Sequence, residues 1–394
     1  MTQSELGMFN GLKLNSSVRI EKWISFGYRL LLLGMTPEKF LDKSPAGRVR
    51  VYLTLFMIQS FYCCHEIAAV VYFSRSLLER ITHGYIMTYV VAFNMEWYFL
   101  LYCVRSFHEN ELHLERFEST QAHFEFSERA FDRNTKVFLT CLAICVAWWG
   151  TNNSIYIFGP LLETVMSFIR SGEFKQVSIL PQVFSMPWWL QIIVYIHNAL
   201  LIFSALVYCV SSFIILGSKI LKVKTQCDIL SEALKNDTGE ESNVRAYVKD
   251  HIQIIKAAKL LNEQLATLNA IIFTACYLQI AIQMFTLTLF EPSGAYFFAI
   301  AFDSLSIFLI LSIQCWFASI ITLALESVSD AVYETDWYRR DKTDTLDVLL
   351  MLQMAQQEVS QKIWFKSLKV ERAASLNMIR SSYAMYTALM IFQD

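Results

Sequence analysis

The chain has 394 residues, 55% of them hydrophobic, and a formal net charge of −2. Soluble domains contain about 45–50% apolar residues, so the composition excludes an ordinary soluble protein and favours a membrane protein. The near-zero net charge gives no indication of nucleic-acid binding. With only 12 glycines and 6 prolines, the chain is expected to form long helices joined by few turns.

The amino-terminal 47 residues are polar to amphipathic and lack a secretory signal peptide. We therefore expect the amino terminus to stay in the cytosol. Within this stretch, Trp23–Gly34 is apolar but shorter than the roughly 20 residues that a membrane crossing requires. It is predicted to form a helix that lies at the inner membrane interface or packs beneath the membrane bundle.

Seven later segments are long and apolar enough to cross a bilayer. A long loop, Glu163–Pro187, separates the third from the fourth, and an amphipathic helix over Val348–Phe365 is predicted before the seventh. The first six spans are Val49–Phe73, Gly84–Phe107, Thr135–Leu162, Trp188–Gly217, Leu265–Phe290 and Tyr296–Leu325. The predicted organisation is a cytosolic segment 1–47, spans one to four within 48–217 as the ligand-binding bundle, a cytosolic helical region 218–264, spans five and six within 265–325, a cytosolic anchor helix within 326–365, and span seven within 366–394.

The distribution of positive charge predicts how the bundle is oriented. With the amino terminus inside, the inner loops hold 26 lysines and arginines and the outer loops hold 4. Seven spans then place the carboxyl terminus outside, which is the reverse of a G-protein-coupled receptor. The outer loop before the fourth span has no cysteine, so we expect the nine cysteines to be buried free thiols rather than a disulfide framework.

The seventh span is the most polar of the seven, with Asn377, Arg380 and Ser381 among its residues. Lipid cannot satisfy such groups, so they are expected to face a protein interior or a water-filled path. The sequence therefore predicts that this helix lines a conduction path. Whether Arg380 faces an inner vestibule or pairs with an acid is left open.

No catalytic or metal-binding motif occurs in the sequence. It lacks a Cys-x-x-Cys pair, a His-Glu-x-x-His motif, a phosphate-binding glycine loop and Gly-x-Ser-x-Gly, and its seven histidines are scattered. We therefore expect neither an enzyme nor a bound cofactor. Glu96 and Asp303 are carboxylates inside predicted spans, with a functional role and a hydrogen-bonded structural role as the alternatives.

The carboxyl-terminal part of the chain resembles the signature of insect odorant receptors. The resemblance is carried by Cys315–Ser319 (CWFAS), Glu326–Tyr338 (ESVSDAVYETDWY) and Ser382–Thr387 (SYAMYT). The inverted seven-span plan and the total length agree over the whole chain. Ala318 replaces the glycine that the family usually has, a departure that does not alter the expected all-helical architecture.

The resemblance implies an odorant-gated, non-selective cation channel in the plasma membrane of olfactory sensory neurons. It implies a heterotetramer with the odorant co-receptor, in which the cytosolic ends of spans four to seven form a shared anchor and four seventh helices surround the pore. The polar region between spans four and five is short for a co-receptor, so the chain resembles a ligand-specific tuning subunit. The alternatives are a gustatory-type homotetramer and a G-protein-coupled receptor of opposite topology.

By position, the resemblance places an outer gate near Leu389, Phe392 and Gln393, which share one helical face. Apolar rings of this kind close a pore by dewetting. Tyr383 and Tyr386 lie deeper and are expected to support the gate or to pack between helices.

The ligand site is predicted to be a mostly apolar pocket with a few polar groups, in the outer halves of the spans. A small volatile ligand offers few hydrogen bonds, so aromatic walls and one donor suit it. The candidate residues are Tyr85, Thr88, Tyr89, Ala92, Trp149, Asn152, Tyr156, Ile193, Ile196, His197, Leu200, Phe285, Thr288, Tyr296 and Phe297.

Overall fold

The computed structural model is almost entirely helical. It describes residues 15–32, 35–41, 48–54, 94–109, 127–172, 187–236, 244–289, 295–356, 362–363, 368–370 and 372–391, and isolated positions between 57 and 91. Residues 48–54 and 94–109 are helical. The remaining elements are α1 (Asn15–Leu31), α2 (Pro37–Leu41), α3 (Ser127–Ser171), α4 (Trp188–Lys235), α5 (Val244–Leu289), α6 (Ala295–Tyr333), a 3-10 turn (Trp337–Arg339), α7 (Lys342–Ala355), strands β1 (Lys362–Ile363) and β2 (Leu368–Lys369), and α8 (Arg372–Ile391).

Three helices in the described part of the chain are long and apolar enough to cross a membrane. They cover Trp189–Lys235, Val244–Thr288 and Ile300–Tyr333. A helix of about 20 residues already spans the hydrocarbon core, so helices of 47, 45 and 34 residues extend well beyond it. The carboxyl half of α4 and the amino half of α5 therefore form a helical extension of the bundle.

The core is continuous from the bundle into this extension. On α4, Ile220, Val223 and Cys227 follow one another at helical spacing and are fully buried or nearly so. On α5, Ala258 and Leu261 are likewise buried. Burial of apolar side chains along both helices favours their continuation as helices through this stretch, in which Lys219, Lys222 and Gln226 of α4 are buried as well.

Close helix packing at the base of the bundle depends on Gly217. A Cβ atom built at this position would lie 2.8 Å from Cε2 of Phe138 on α3 and 3.0 Å from Cζ of Phe317 on α6. The missing side chain therefore lets the two aromatic rings approach the α4 backbone from both sides. This contact joins three of the long helices at one level.

The amino-terminal helix α1 packs against α4. Ile20, Ile24 and Tyr28 are buried, and Gly27 approaches Ile214 so closely that an added Cβ would lie 2.8 Å from its Cγ2. Of the two placements that the sequence left open for this segment, the structure shows packing against the bundle.

Two segments differ from the sequence-based prediction. The loop predicted from Glu163 begins later, because α3 continues to Ser171 and ends at Gly172, whose positive φ of 72° suits a helix terminus. The sixth predicted span ends at Leu325, but the helix α6 continues to Tyr333. There, Val328 and Ala331 are buried, and this burial favours continuation of the helix.

The predicted anchor helix over Val348–Phe365 is also shifted. The observed helix α7 begins at Lys342, because the Asp341 side chain accepts a 2.9 Å hydrogen bond from the backbone N–H of Asp344 and caps it. It ends at Ala355, and the chain then forms the antiparallel pair β1–β2, with Ile363 opposite Leu368. The predicted helix is therefore wrong at Lys362–Ile363, whereas 357–361 and 364–365 lie outside the described residues.

Ion pairs connect the ends of the helical extension that lie farthest from the bundle. Lys235 at the end of α4 lies 2.8 Å from Glu334, and Arg245 at the start of α5 lies 3.4 Å from Asp347 on α7. Exposed pairs of this kind contribute less than about 1 kcal/mol each, so the apolar core holds the extension together. All eight cysteines in the described residues are free thiols.

Candidate functional site

A cavity of about 80 Å³ lies inside the bundle, between the helical segment 94–109 and helices α3 to α6. A water molecule occupies about 10–15 Å³ of such a cavity volume, so the cavity holds roughly five to eight groups of that size. Its wall is mostly apolar. The volume and the lining suit a small organic molecule.

One wall of the cavity is an aromatic cluster centred on Phe213 of α4. The Phe213 ring lies 6.1 Å from Trp149 of α3, edge to face, and 5.2 Å from Phe317 of α6. It also stacks on Phe138 at 5.8 Å. These contacts hold the rings in fixed orientations, because aromatic pairs prefer offset or edge-to-face geometry at such distances.

The cavity wall also carries polar groups. The Tyr208 hydroxyl of α4 donates a hydrogen bond to the Glu96 carboxylate. Ser212, one turn further along α4, also lines the cavity, as do the amides of Gln279 and Gln314. A cavity lined by both aromatic and polar groups can bind a ligand that has an apolar body and a polar end.

A second polar cluster lies beside the cavity around Asp303 of α6. Its carboxylate accepts a 2.7 Å hydrogen bond from Nε2 of Gln283 on α5 and a 3.3 Å bond from Nδ2 of Asn152 on α3. One turn away, Nε1 of Trp148 donates to Ser306 at 2.9 Å. The cluster links three helices, which agrees with the structural alternative for Asp303.

The structure distributes the predicted ligand residues over several environments. Trp149 lines the cavity, and Asn152 is bound to Asp303. Phe285 is buried in the bundle, whereas Tyr156 and His197 are half-buried.

Three further candidates lie together on one exposed face of α4, outside the cavity. Ile193, Ile196 and Leu200 are 55%, 53% and 51% exposed. The Thr88 and Thr288 hydroxyls donate to carbonyls of their own helices, at Gly84 and Phe285. Tyr296 and Phe297 lie in the first turn of α6, and Tyr85, Tyr89 and Ala92 lie outside the described residues.

The predicted gate residues belong to α8 and the end of the chain. Leu389 lies in the last turn of α8, whereas Phe392 and Gln393 lie outside the described residues. The rings of Tyr383 and Tyr386 lie 5.7 Å apart, with Tyr383 more than half exposed.

Helix α8 buries one face against its own bundle. Its buried face includes Met378 and Ser382, and the Ser382 hydroxyl donates to the Tyr277 carbonyl of α5 at 3.3 Å. Its exposed face includes Arg380 and Ser381, and no ion pair of Arg380 occurs among the described residues. Leu376 and Ile391 are also exposed, so the surface of α8 that the bundle leaves uncovered carries both polar and apolar side chains.

The sequence reasoning missed Tyr208, Ser212, Gln279 and Gln314. Tyr208, Ser212 and Gln314 lie in the inner halves of their predicted spans and Gln279 lies near the middle of the fifth, whereas the candidates were sought in the outer halves. Gln279 and Gln314 carried a usable signal, because an amide inside an apolar span needs a partner in the bundle just as Glu96 does.

The chain is similar to known proteins both in sequence and in fold. A family model described as 7tm Odorant receptor matches residues 78–383. The fold is similar to that of olfactory receptor OR5 from the insect Machilis hrabei in complex with eugenol, with a TM-score of 0.72 and 13% identity over 95% of this chain and 99% of that one. A second structure of the same receptor gives a TM-score of 0.69 and 14% identity over 94% of this chain and 98% of that one.

No curated protein matches the chain. The family model nevertheless covers most of its length, including the cavity helices and most of α8. The solved structures independently share the same fold. The chain therefore belongs to the 7tm odorant receptor family.

Proposed function

We propose that the chain is the ligand-specific subunit of a heteromeric, odorant-gated, non-selective cation channel in the plasma membrane of olfactory sensory neurons. The observation that carries this proposal is the mostly apolar cavity within the bundle of an odorant receptor family member. Pockets of this character bind small molecules by burying their apolar surface and orienting a few polar groups. The partner in the proposed channel is the odorant co-receptor.

Binding is proposed to occur in the cavity, with Trp149 as the residue that the sequence-based ligand set and the cavity wall share. Helix α5 offers a direct connection from there to α8. Cys276 and Gln279 line the cavity, and the carbonyl of Tyr277, between them on α5, accepts the Ser382 hydrogen bond. A ligand that shifts α5 would therefore also shift α8.

Helix α8 is proposed to line the pore, with Leu389, Phe392 and Gln393 at its outer gate and with support from Tyr383 and Tyr386. The exposure of Asn377, Arg380 and Ser381 supports this role. Polar groups at membrane depth need water or protein partners, and a pore between subunits supplies both.

The experiment compares cells that express the chain alone with cells that express it together with an odorant co-receptor. A panel of small volatile molecules is applied under voltage clamp, and surface labelling confirms delivery to the membrane. We expect inward cation currents only with both subunits. Currents from the chain alone would support a homotetramer instead, and a response that requires G-protein signalling would contradict the channel.

A further inference from the structure

Glu96 gives the cavity an acceptor that its own surroundings leave partly unused. The carboxylate accepts from the Tyr208 hydroxyl, but two carboxylate oxygens offer about four acceptor positions. None of the ion pairs within the described residues includes Glu96. A ligand that enters the cavity therefore meets an acidic group that can accept a further hydrogen bond.

Trp149 gives the same cavity a donor without an acceptor. Its side chain is 93% buried, with 7% exposure, and its Nε1–H has no hydrogen-bond partner. Buried polar groups are nearly always satisfied, so an unsatisfied indole N–H in a cavity wall points to a missing partner. Because Glu96 and Trp149 line one cavity, a single ligand can serve both.

The two groups make complementary demands on the ligand. Glu96 requires a donor, and Trp149 requires an acceptor. A hydroxyl group does both, since it donates one hydrogen bond and accepts up to two. An ether, ester or ketone lacks the donor, an alkane lacks both, and an ammonium group lacks the acceptor.

We propose that the cavity binds small alcohols or phenols, whose hydroxyl donates to the Glu96 carboxylate and accepts from Trp149 Nε1–H. This assignment rests on the proposed function and adds the chemical class of its ligand. The aromatic cluster around Phe213 packs against the carbon skeleton of the ligand. The volume of about 80 Å³ limits that ligand to roughly five to eight non-hydrogen atoms.

The experiment uses ligands of one size that differ only in the head group. The chain is co-expressed with an odorant co-receptor, and dose–response curves are recorded for 1-hexanol, methyl pentyl ether, hexylamine and heptane, which have equal numbers of heavy atoms. Cyclohexanol and phenol test other skeletons. We expect the alcohols to act at concentrations at least about tenfold lower than the ether, because an unpaired buried polar group strongly disfavours the analogue.

Two substitutions test the two hydrogen bonds separately. Glu96→Gln introduces an amide that can donate to an ether oxygen, so the preference for hexanol over the ether is expected to shrink several-fold. Trp149→Phe removes the donor and keeps an aromatic ring. It is expected to raise the effective hexanol concentration about tenfold and to leave heptane unchanged.

Matched controls use the same exchanges at exposed sites. Glu263→Gln changes an exposed residue of α5. Trp189→Phe replaces a tryptophan that is 53% exposed at the start of α4. Both are expected to behave as wild type. Surface labelling of every variant separates loss of ligand recognition from loss of folding.

Three outcomes would overturn the hydroxyl assignment. The first is equal potency of hexanol and the ether, and the second is a preference for hexylamine that Glu96→Gln removes, which would indicate an ion pair. The third is no response to any alcohol while other volatile molecules open the channel. That result would contradict the hydroxyl assignment but not the channel proposal. Silence towards all volatile molecules would overturn both proposals.

Discussion

Gln283 Nε2 on α5 donates a 2.7 Å hydrogen bond to the Asp303 carboxylate on α6. With the Asn152 amide of α3 on the other carboxylate oxygen, three helices meet at one acidic group. Each of these bonds joins residues that are distant in sequence, and all lie beside the proposed ligand cavity. The Asp303 cluster is therefore expected to hold the cavity helices in register.

Replacing Asp303 tests this role. Asp303→Leu removes the acceptor to which the Gln283 and Asn152 amides donate, which is expected to cost about 1–3 kcal/mol of stability. Asp303→Asn retains an acceptor and is expected to cost less. Thermal unfolding of the purified protein in detergent measures the difference, with Ser304→Ala on the same helix as the control. Equal melting temperatures for Asp303→Leu and wild type would contradict a stabilising role.

Gly217 permits a second prediction about helix packing. Gly217→Ala places a methyl group 2.8 Å from the Phe138 ring and is expected to destabilise the protein by about 1–3 kcal/mol. Gly150→Ala on α3 is the matched control, because nothing lies within 4 Å of its added Cβ. That variant is expected to be neutral or stabilised by up to about 1 kcal/mol through helix propensity. The opposite order of melting temperatures would show that the close approach at Gly217 is not required.

The amino-terminal cap of α7 permits a prediction about pH. The hydrogen bond from the Asp344 backbone N–H, assisted by the Thr343 hydroxyl, lowers the pKa of Asp341 below its ordinary value of 3.8. The stabilisation of the helix start is therefore present above pH 3.8 and is lost as the pH falls through the lower folded pKa.

Amide hydrogen exchange in the first turn of α7 measures this cap. Asp341→Ala is expected to speed exchange at Asp344 at neutral pH, and Asp341→Ser is expected to restore part of the protection. At a pH below the folded pKa, wild type and Asp341→Ala should converge. A difference that persists unchanged in acid would mean that the carboxylate is not the cap.

The sequence was sufficient to predict the helical membrane architecture, because apolar runs of more than 20 residues and scarce glycine and proline leave few other folds. It was less informative at helix ends. Extension of α3 beyond Glu163 and the start of α7 at Lys342 depend on local capping at Gly172 and Asp341, which an apolar pattern does not reveal. The β1–β2 hairpin is too short to produce a period-two signal.

The cavity could be predicted only in part. Glu96 was identifiable as a carboxylate in an apolar span, but its bond to Tyr208 joins residues more than 100 positions apart. Trp149 was included among the ligand candidates for its aromatic ring, whereas its unsatisfied N–H is visible only once its neighbours are known. Ile193 and Leu200 fitted the expected depth, yet the rotation of α4 turns them outward.

The most direct test of the channel proposal compares two adjacent serines of α8. Ser381 is exposed, whereas Ser382 is buried and bound to the Tyr277 carbonyl. Ser381→Cys and Ser382→Cys are each co-expressed with an odorant co-receptor, and a charged, water-soluble thiol reagent is applied during ligand-evoked current. We predict rapid loss of current for Ser381→Cys and little change for Ser382→Cys and wild type. An unaffected Ser381→Cys current, with surface expression intact, would contradict a pore lined by α8.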